Sequence, residues 1–361
     1  MSCENAFKGE KKVDTIQVGI LGYGLSGSVF HAPLLAVLNE YHISKVMTSR
    51  TEEVKRDFPD AEVVHELKAI TNDPGIELVI VTTPSALHYE HAMACIEAGK
   101  HVVIEKPMTA TAEEGQKLKK AADEKGVLLS VYHNRRWDND FLTIKKLIAD
   151  GSLEDINTYQ VSYDRYRPEV QATRWRDKEG VATGTLYDLG SHIIDQTLHL
   201  FGMPKAVTAN VMTQRENAKT VDYFHLIMDY GKLQAILYGG SVVPANGPRY
   251  QIHGQHSSFI KYGIDGQEAA LRAGKKPEDD SWGADDPTFY GELTTVHGTD
   301  KKTETIPSVN GSYLTYYREI AKSMRKGDTL PITAEEGINV IRIIEAAMKS
   351  SEEKRTIMLE E

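Results

Sequence analysis

VGILGYGLSGSVFHAP, residues 18–33, starts as an apolar strand and runs into three closely spaced glycines. Gly22, Gly24 and Gly27 complete the pattern G-x-G-x-x-G where the strand ends. In a dinucleotide-binding turn, the first glycine permits a tight bend, the second admits a pyrophosphate and the third lets the next helix approach the strand. Backbone N–H groups at the start of that helix then hold the anion. The pattern alone also fits an ordinary strand-to-helix turn, so its context decides the interpretation.

Short β-branched runs alternate with helical patterns up to about residue 130. Five runs have the composition of strands, namely IQVGIL, ISKVMT, ELVIVTT, HVVIEK and VLLSVY. This alternation is typical of parallel βαβ units and therefore favours dinucleotide binding. Because Pro33 cannot continue a long first helix, we expect a short turn over residues 26–31 and a fresh helical start at Pro33. We predict a Rossmann dinucleotide-binding domain with a parallel sheet over residues 15–134, preceded by a flexible tail over residues 1–14.

The pattern changes after residue 134, where strand-like runs follow one another with short polar connections. These runs are INTYQVSYDRY, AVTANVMTQ, DYFHLIMDY, LQAILYGGS and RYQIHG. Their succession predicts an antiparallel sheet. Four helices are predicted, over residues 138–150, 186–201, 312–326 and 333–349. The last opens with a capping box of Thr333 and Glu336, and we assign residues 135–361 to a second domain.

Charge and cysteine content exclude several classes of protein. The 361 residues include 52 acidic and 42 basic side chains, a net charge of -10. This balance disfavours a broad nucleic-acid surface but still allows a pocket for one phosphate. Cys3 and Cys95 are the only cysteines, too few for a disulfide framework or a zinc cluster. No run approaches the roughly 18 apolar residues of a membrane span, so we expect a cytoplasmic protein that binds small molecules, not nucleic acid or membrane.

The residues after the second predicted strand indicate which dinucleotide is bound. A carboxylate there would bind the ribose 2′-OH of NAD, but the chain reads MTSRT over residues 47–51. Arg50 can pair with a 2′-phosphate, and Ser49 can donate a hydrogen bond to it. Glu52 and Glu53 lie close by, and an arginine on a solvated loop is the alternative. The missing acid favours NADP over NAD.

Two further groups of polar residues follow predicted strands. TTP, residues 82–84, ends one strand, and His88 stands one turn into the next helix. EKP, residues 105–107, ends another. The carboxyl ends of strands in an open α/β sheet are ligand positions. Lys106 can there hydrogen-bond a reacting oxygen, while a surface lysine is the plainer alternative.

YDLGSHIID, residues 187–195, places a carboxylate and an imidazole four residues apart. On a helix, Asp188 and His192 would share a face, where the carboxylate would raise the basicity of the imidazole and fix its tautomer. The pair fits proton transfer, and a buried structural histidine held by a helix carboxylate fits as well. No metal site is expected, because His199 lies almost two turns beyond His192.

GYG at residues 22–24, EKP at 105–107 and DLGSH at 188–192 together resemble the Gfo/Idh/MocA oxidoreductases. The resemblance covers the chain from about Thr15 onward. It implies that the second domain is an α/β unit built on a large, mostly antiparallel sheet. That domain would bind the substrate and mediate a homodimer or homotetramer.

The resemblance also implies an activity. The expected reaction is the NADP-dependent interconversion of a cyclic polyol and its ketone, with scyllo-inositol and scyllo-inosose as the expected pair and hydride transfer at nicotinamide C4. His192 is expected to take the hydroxyl proton and Asp188 to orient His192. Lys106 is expected to bind the reacting oxygen and stabilise its developing negative charge.

The resemblance and the strand-end positions together predict two sets of site residues. The cofactor-binding set is Gly22, Tyr23, Gly24, Leu25, Ser26, Gly27, Ser49, Arg50, Thr82, Thr83, Pro84, His88, Glu105 and Lys106. The substrate-binding set is Lys106, His133, Tyr163, Arg165, Asp188 and His192. Two alternatives remain, a related NADP enzyme acting on an aldose or a dihydrodiol, and a non-catalytic NADP-sensing regulator. The presence of Lys106, Asp188 and His192 favours an enzyme.

Overall fold

The first sheet is parallel and belongs to the N-terminal half of the chain. The computed structural model describes residues 15–170, 180–279 and 281–359, so the predicted tail over residues 1–14 lies outside the described residues. The strands are β1 Ile16–Leu21, β2 Tyr41–Met47, β3 Glu62–Val64, β4 Leu78–Val81, β5 His101–Ile104 and β6 Leu129–Val131. Their order is β3-β2-β1-β4-β5-β6, and each neighbouring pair is parallel. The strand order reverses between β1 and β4, and ligands bind at such a switch point, beyond the carboxyl ends of the strands.

Helices connect these strands as the sequence predicts. They are α1 Ala32–Ala36, α2 Thr51–Asp57, α3 Lys68–Thr71, α4 His88–Glu97 and α5 Ala112–Lys125. The expected turn over residues 26–31 is not found, because Ser26–His31 is a π-helical segment that leads directly into α1, with Pro33 in the first turn of α1. α5 begins where the Thr111 side chain accepts a hydrogen bond from the Glu114 N–H.

The second sheet is mostly antiparallel, which confirms the predicted fold class. Its strands are β7 Thr158–Ser162, β8 Ala206–Met212, β9 Tyr223–Asp229, β10 Gln234–Gly240, β11 Tyr250–His253, β12 Ser257–Lys261, β13 Gly291–His297, β14 Asp300–Ile306 and β15 Ile357–Met358. Their order is β14-β13-β12-β11-β7-β10-β9-β8-β15. Among these pairs, only β7 with β10 is parallel.

The helices of the second half pack on both sheets. They are α6 Asn139–Ala149, α7 Ser191–Phe201, α8 Gln267–Arg272, α9 Leu314–Lys326 and α10 Ala334–Glu353. The predicted capping box at the start of α10 is confirmed, with Thr333 and Glu336 bonded reciprocally. α9 returns to the first domain, where Tyr316 and Tyr317 are buried in the same core as Tyr132. Within the described ranges, no helix is long and apolar enough to cross a membrane.

Candidate active site

The three glycines of the first turn have three different surroundings, as the pattern requires. Gly22 has a φ of +95°, a conformation that favours glycine. A Cβ on Gly27 would lie 2.4 Å from the Gly22 carbonyl oxygen and 2.9 Å from Thr82 Oγ1, so the helix approaches the strand closely. A Cβ on Gly24 would meet no heavy atom within 4 Å. The turn therefore leaves open space beside its backbone at Gly24, where the pattern places a pyrophosphate.

A cavity of about 550 Å³ opens from this turn toward the second domain. It brings together most of the predicted site residues, namely Gly22, Gly24, Leu25, Ser26, Arg50, Thr82, Thr83, Pro84, His88, Glu105, Lys106, Tyr163, Arg165, Asp188 and His192. The cavity volume falls within the usual range of ligand sites. Residues more than 80 positions apart in sequence thus share one wall.

Four predicted site residues do not line this cavity, and one of them is Gly27, which packs against Gly22 and Thr82. Tyr23 is buried, and its hydroxyl donates a hydrogen bond to Asp57 Oδ2 at 3.0 Å, so its side chain faces α2. Ser49 is exposed and precedes Arg50 in sequence. His133 is fully buried, with its ring 6.4 Å from that of His192 in an edge-to-face arrangement. His133 thus lies close to His192 without lining the cavity, and its contact with substrate stays a prediction.

Arg50 lies on the cavity wall with its side chain about half exposed. Its Nη1 is 3.2 Å from Glu53 Oε2 in an ion pair between exposed side chains of neighbouring turns. Exposed pairs of this kind are weak, typically about 0 to 1 kcal/mol. The guanidinium can therefore exchange Glu53 for a phosphate at little cost.

Glu105 connects the glycine turn with the lysine that follows it. Its Oε1 accepts a hydrogen bond from Ser26 Oγ and lies 3.0 Å from His31 Nε2. Its Oε2 accepts the backbone N–H of Lys106 at 2.8 Å. Burial alone would raise the pKa of Glu105, but the contact with His31 and the nearby Lys106 ammonium outweigh it and lower the pKa to about 2. The carboxylate is therefore ionised and acts only as an acceptor.

His88 joins the two loops that follow β4 and β5. Its Nδ1 lies 2.8 Å from the Pro107 carbonyl oxygen, and its Nε2 lies 2.9 Å from the Thr83 carbonyl oxygen. Burial lowers the pKa of the His88 imidazole. Its ring nitrogens thus face backbone carbonyls, which leaves His88 to shape the cavity wall between the loops.

Lys106 and Asp188 form an ion pair at the cavity wall. The Lys106 ammonium donates to Asp188 Oδ1 at 2.9 Å and to the Asp188 carbonyl oxygen at 2.8 Å. Arg165 Nη1 lies 4.0 Å from the other carboxylate oxygen. The structure places the Lys106 ammonium on the carboxylate of Asp188, and the pairing of Asp188 with His192 stays a prediction. An ammonium forms a stronger, charge-assisted hydrogen bond with a carboxylate than a neutral imidazole does, and Lys106 occupies that position.

His192 is buried at the start of α7, after the π-helical turn Leu186–Gly190. Its Nδ1 has no hydrogen-bond partner among the described residues. Burial lowers the pKa of His192 well below 6.5, and the nearby charges of Lys106 and Arg135 lower it further. The net effect of the surroundings is thus to lower the pKa of His192, and the expected contribution of Asp188 stays a prediction. The imidazole is neutral at neutral pH and can accept a proton.

The cavity also includes residues that the sequence did not indicate. Glu268 of α8 accepts hydrogen bonds from Arg272 Nε at 2.9 Å and Nη2 at 2.8 Å, and it also binds Arg135. The Arg272 guanidinium lies 5.2 Å from the ring of Phe30, next to the glycine turn. All four residues line the cavity. α8 is six residues long and belongs to no motif, so no sequence signal could have assigned Glu268 and Arg272.

Two family models match this chain. Residues 16–133 match the Gfo/Idh/MocA model described as "Oxidoreductase family, NAD-binding Rossmann fold". Residues 145–359 match the model described as "Oxidoreductase family, C-terminal alpha/beta domain". Together the matches span the chain from β1 to β15.

Several known proteins are similar over nearly the full length. The scyllo-inositol 2-dehydrogenase (NADP(+)) IolW of Bacillus subtilis (strain 168) is 86% identical over 353 residues, which are 98% of this chain and 98% of that protein. A solved structure of the oxidoreductase yvaA from Bacillus subtilis has a TM-score of 0.95 at 86% identity, covering 97% of this chain and 100% of that chain. The oxidoreductase YPO2259 from Yersinia pestis has a TM-score of 0.92 at 37% identity, covering 96% and 98% of the two chains.

Proposed function

Because this chain belongs to the Gfo/Idh/MocA oxidoreductase family, we propose that it is an NADP-dependent dehydrogenase that interconverts scyllo-inositol and scyllo-inosose. One observation carries the proposal. The glycine turn, the Lys106 and Asp188 ion pair and the neutral His192 line a single cavity of about 550 Å³. The 86% identity with the Bacillus subtilis scyllo-inositol dehydrogenase supports the same substrate and cofactor.

The first domain fits a dinucleotide with a 2′-phosphate. The space beside Gly24 suits a pyrophosphate, because a side chain is absent where the phosphate must approach the backbone. Arg50 lies on the cavity wall beyond β2, where an acidic residue would favour NAD. Its exposed partner Glu53 is displaced easily. These residues support NADP as the cofactor.

The side chains of the cavity supply the remaining chemistry. A bound nicotinamide would supply the hydride acceptor for oxidation of the carbinol carbon and the hydride donor for the reverse reduction. Lys106 binds the reacting oxygen and stabilises the negative charge that develops there. Asp188 holds the Lys106 ammonium in place. His192 accepts the hydroxyl proton, since its lowered pKa keeps the ring unprotonated.

A steady-state screen tests this function. The purified chain is assayed with scyllo-inositol, myo-inositol, glucose and xylose, each with NADP and with NAD, and the keto forms are assayed in reduction. We expect the highest kcat/KM for scyllo-inositol with NADP. A higher value for an aldose would reassign the substrate. NADP binding without turnover of any polyol would indicate a sensing regulator instead.

We further propose that residues 135–361 bind substrate and mediate a homodimer or homotetramer in the cytoplasm. In β9 and β10, buried side chains alternate with partly exposed ones, so one face of these two strands is more open than the other. This open face supports self-association. Light scattering on the purified chain should give the mass of a dimer or tetramer, and a monomer mass would contradict the proposal.

A further inference from the structure

A buried chain of contacts runs from the glycine turn into the second domain. His31 ends the π-helical segment, is fully buried and places Nε2 3.0 Å from Glu105 Oε1. Its Nδ1 contacts the hydroxyl of Tyr317 on α9. Tyr317 is also fully buried, and its ring lies 6.1 Å from the imidazole in an edge-to-face arrangement. The two residues are 286 positions apart in sequence, so only folding brings them together.

The Glu105 carboxylate binds both the glycine turn and the backbone of Lys106. Glu105 accepts hydrogen bonds from Ser26 Oγ in the glycine turn and from the backbone N–H of Lys106. His31 is its third partner. Any rotation of the Glu105 side chain would therefore release the cofactor turn and the catalytic lysine at once.

The ionised state of Glu105 fixes the direction of its hydrogen bond with His31. An ionised Glu105 only accepts, so His31 must donate from Nε2. The other ring nitrogen, Nδ1, contacts the Tyr317 hydroxyl. Burial raises the pKa of Tyr317 well above 10, so this hydroxyl stays protonated. Glu105 and Tyr317 thus hold the imidazole of His31 from its two ring nitrogens.

We propose that His31 and Tyr317 are positioning residues for hydride transfer, acting through Glu105 to hold the glycine turn and Lys106 in their relative places. This inference rests on the proposed function, because it concerns how that site is held. Both side chains are fully buried and do not line the cavity, so they act through Glu105 and not by touching a ligand. Through Tyr317, α9 supports the dinucleotide turn of the first domain.

The test compares Tyr317→Phe with Tyr316→Phe in the full chain. Tyr316 is its neighbour on α9 and is equally buried, but its hydroxyl donates to Ser130 Oγ at 2.8 Å. Each variant loses one buried hydrogen bond and keeps its ring, so the thermal unfolding midpoints should fall by similar amounts. NADP affinity, measured by fluorescence titration without a polyol, should fall about fivefold in Tyr317→Phe only. In that variant kcat should also fall, and the primary deuterium isotope effect on kcat should rise.

A double-mutant cycle with Glu105→Gln tests whether Tyr317 acts through Glu105. In the Glu105→Gln background, Tyr317→Phe should change NADP affinity by less than about twofold, because the two residues act through one carboxylate. Equal losses of affinity in Tyr316→Phe and Tyr317→Phe would overturn the inference, as would wild-type affinity in Tyr317→Phe. The titration contains no polyol, so its outcome is independent of whether scyllo-inositol is the substrate.

Discussion

Lys106 stands between the two domains, since its backbone N–H is bound by Glu105 and its ammonium by Asp188. We predict that Lys106→Ala lowers kcat by roughly 100-fold or more, the usual effect of removing a group that stabilises the developing oxyanion. The NADP dissociation constant should change little, because the glycine turn and Arg50 are untouched. Steady-state kinetics and a binding titration check both expectations. A near-normal kcat in Lys106→Ala would show that Lys106 has no catalytic role.

The surroundings of His192 set the pH dependence of oxidation. Burial, followed by the charges of Lys106 and Arg135, lowers the pKa of His192 well below 6.5. We therefore predict that kcat/KM rises with pH only below about 6.5 and is level above it, since the base is already neutral there. His192→Asn should abolish that limb and lower the rate by roughly 100-fold. An unchanged pH profile in His192→Asn would assign the base to another group, with Lys106 the first candidate.

The same shift affects folding. The unfolded chain binds a proton on His192 below about pH 6.5, whereas the folded chain does not until the pH is lower. The stability that His192 contributes is thus fully present above that pH and is lost as the pH falls toward its folded pKa. His192→Asn should consequently flatten this part of the stability profile.

Arg50 decides between the two dinucleotides. We predict that Arg50→Asp weakens NADP binding by about 2 kcal/mol or more, because a phosphate partner is replaced by a like charge, and narrows or reverses the preference over NAD. Glu53→Gln is the matched control, since it removes only the ion-pair partner of Arg50. It should keep the preference for NADP. Equal affinity of the wild-type chain for both dinucleotides would contradict this role.

At the scale of elements, two glycines of the turn have different roles, because Gly27 allows close packing and Gly24 leaves room for a ligand. A Cβ on Gly27 would collide with the Gly22 carbonyl oxygen, whereas a Cβ on Gly24 would meet no heavy atom within 4 Å. We predict that Gly27→Ala lowers the unfolding midpoint and NADP affinity together. Gly24→Ala should keep the midpoint and lose NADP affinity, because the methyl group enters the space for the pyrophosphate. Unfolding scans and titrations of the two variants check this contrast, and equal effects on stability would contradict it.

The elements that the sequence predicted are those with strong local signals. β1, β4 and β5 are apolar runs, and α10 carries its own capping box. β3 was missed because it has three residues and takes its place only by pairing with β2. β14 was missed because most of its side chains are exposed, which removes the alternation that marks a half-buried strand.

Site residues were predictable where a sequence motif indicates their chemistry. They were not predictable where their partners are set by tertiary contacts. The glycines and Lys106 were assigned from their positions at strand ends. The ion-pair partner of Lys106 was not assigned, because Asp188 lies 82 positions away in sequence. The sequence instead suggested His192, which is only four residues from Asp188, as the partner of Asp188. His31 was seen only as the end of a turn, since nothing in the local sequence points to Tyr317.

At the scale of the whole molecule, the C-terminal helices tie the two sheets around the cavity. Arg136, at the domain junction, binds both carboxylate oxygens of Asp195 on α7 at 2.7 and 2.8 Å. It also donates to Glu336 of α10 at 2.7 Å. Ile338 of α10 packs against Gly115 of α5, where a Cβ would lie only 2.8 Å from it. These contacts fix the wall that carries His192 against the wall that carries the glycine turn.

Direct transfer of hydrogen from the polyol carbon to the nicotinamide tests the central claim. The full chain is incubated with NADP and scyllo-inositol that is deuterated at its ring carbons, and the NADPH formed is examined by mass spectrometry and NMR. We predict that the NADPH gains one deuterium, located at nicotinamide C4, while the polyol is oxidised to scyllo-inosose. Reduced NADPH that carries hydrogen from solvent, or no reduction of NADP by scyllo-inositol, would contradict the account.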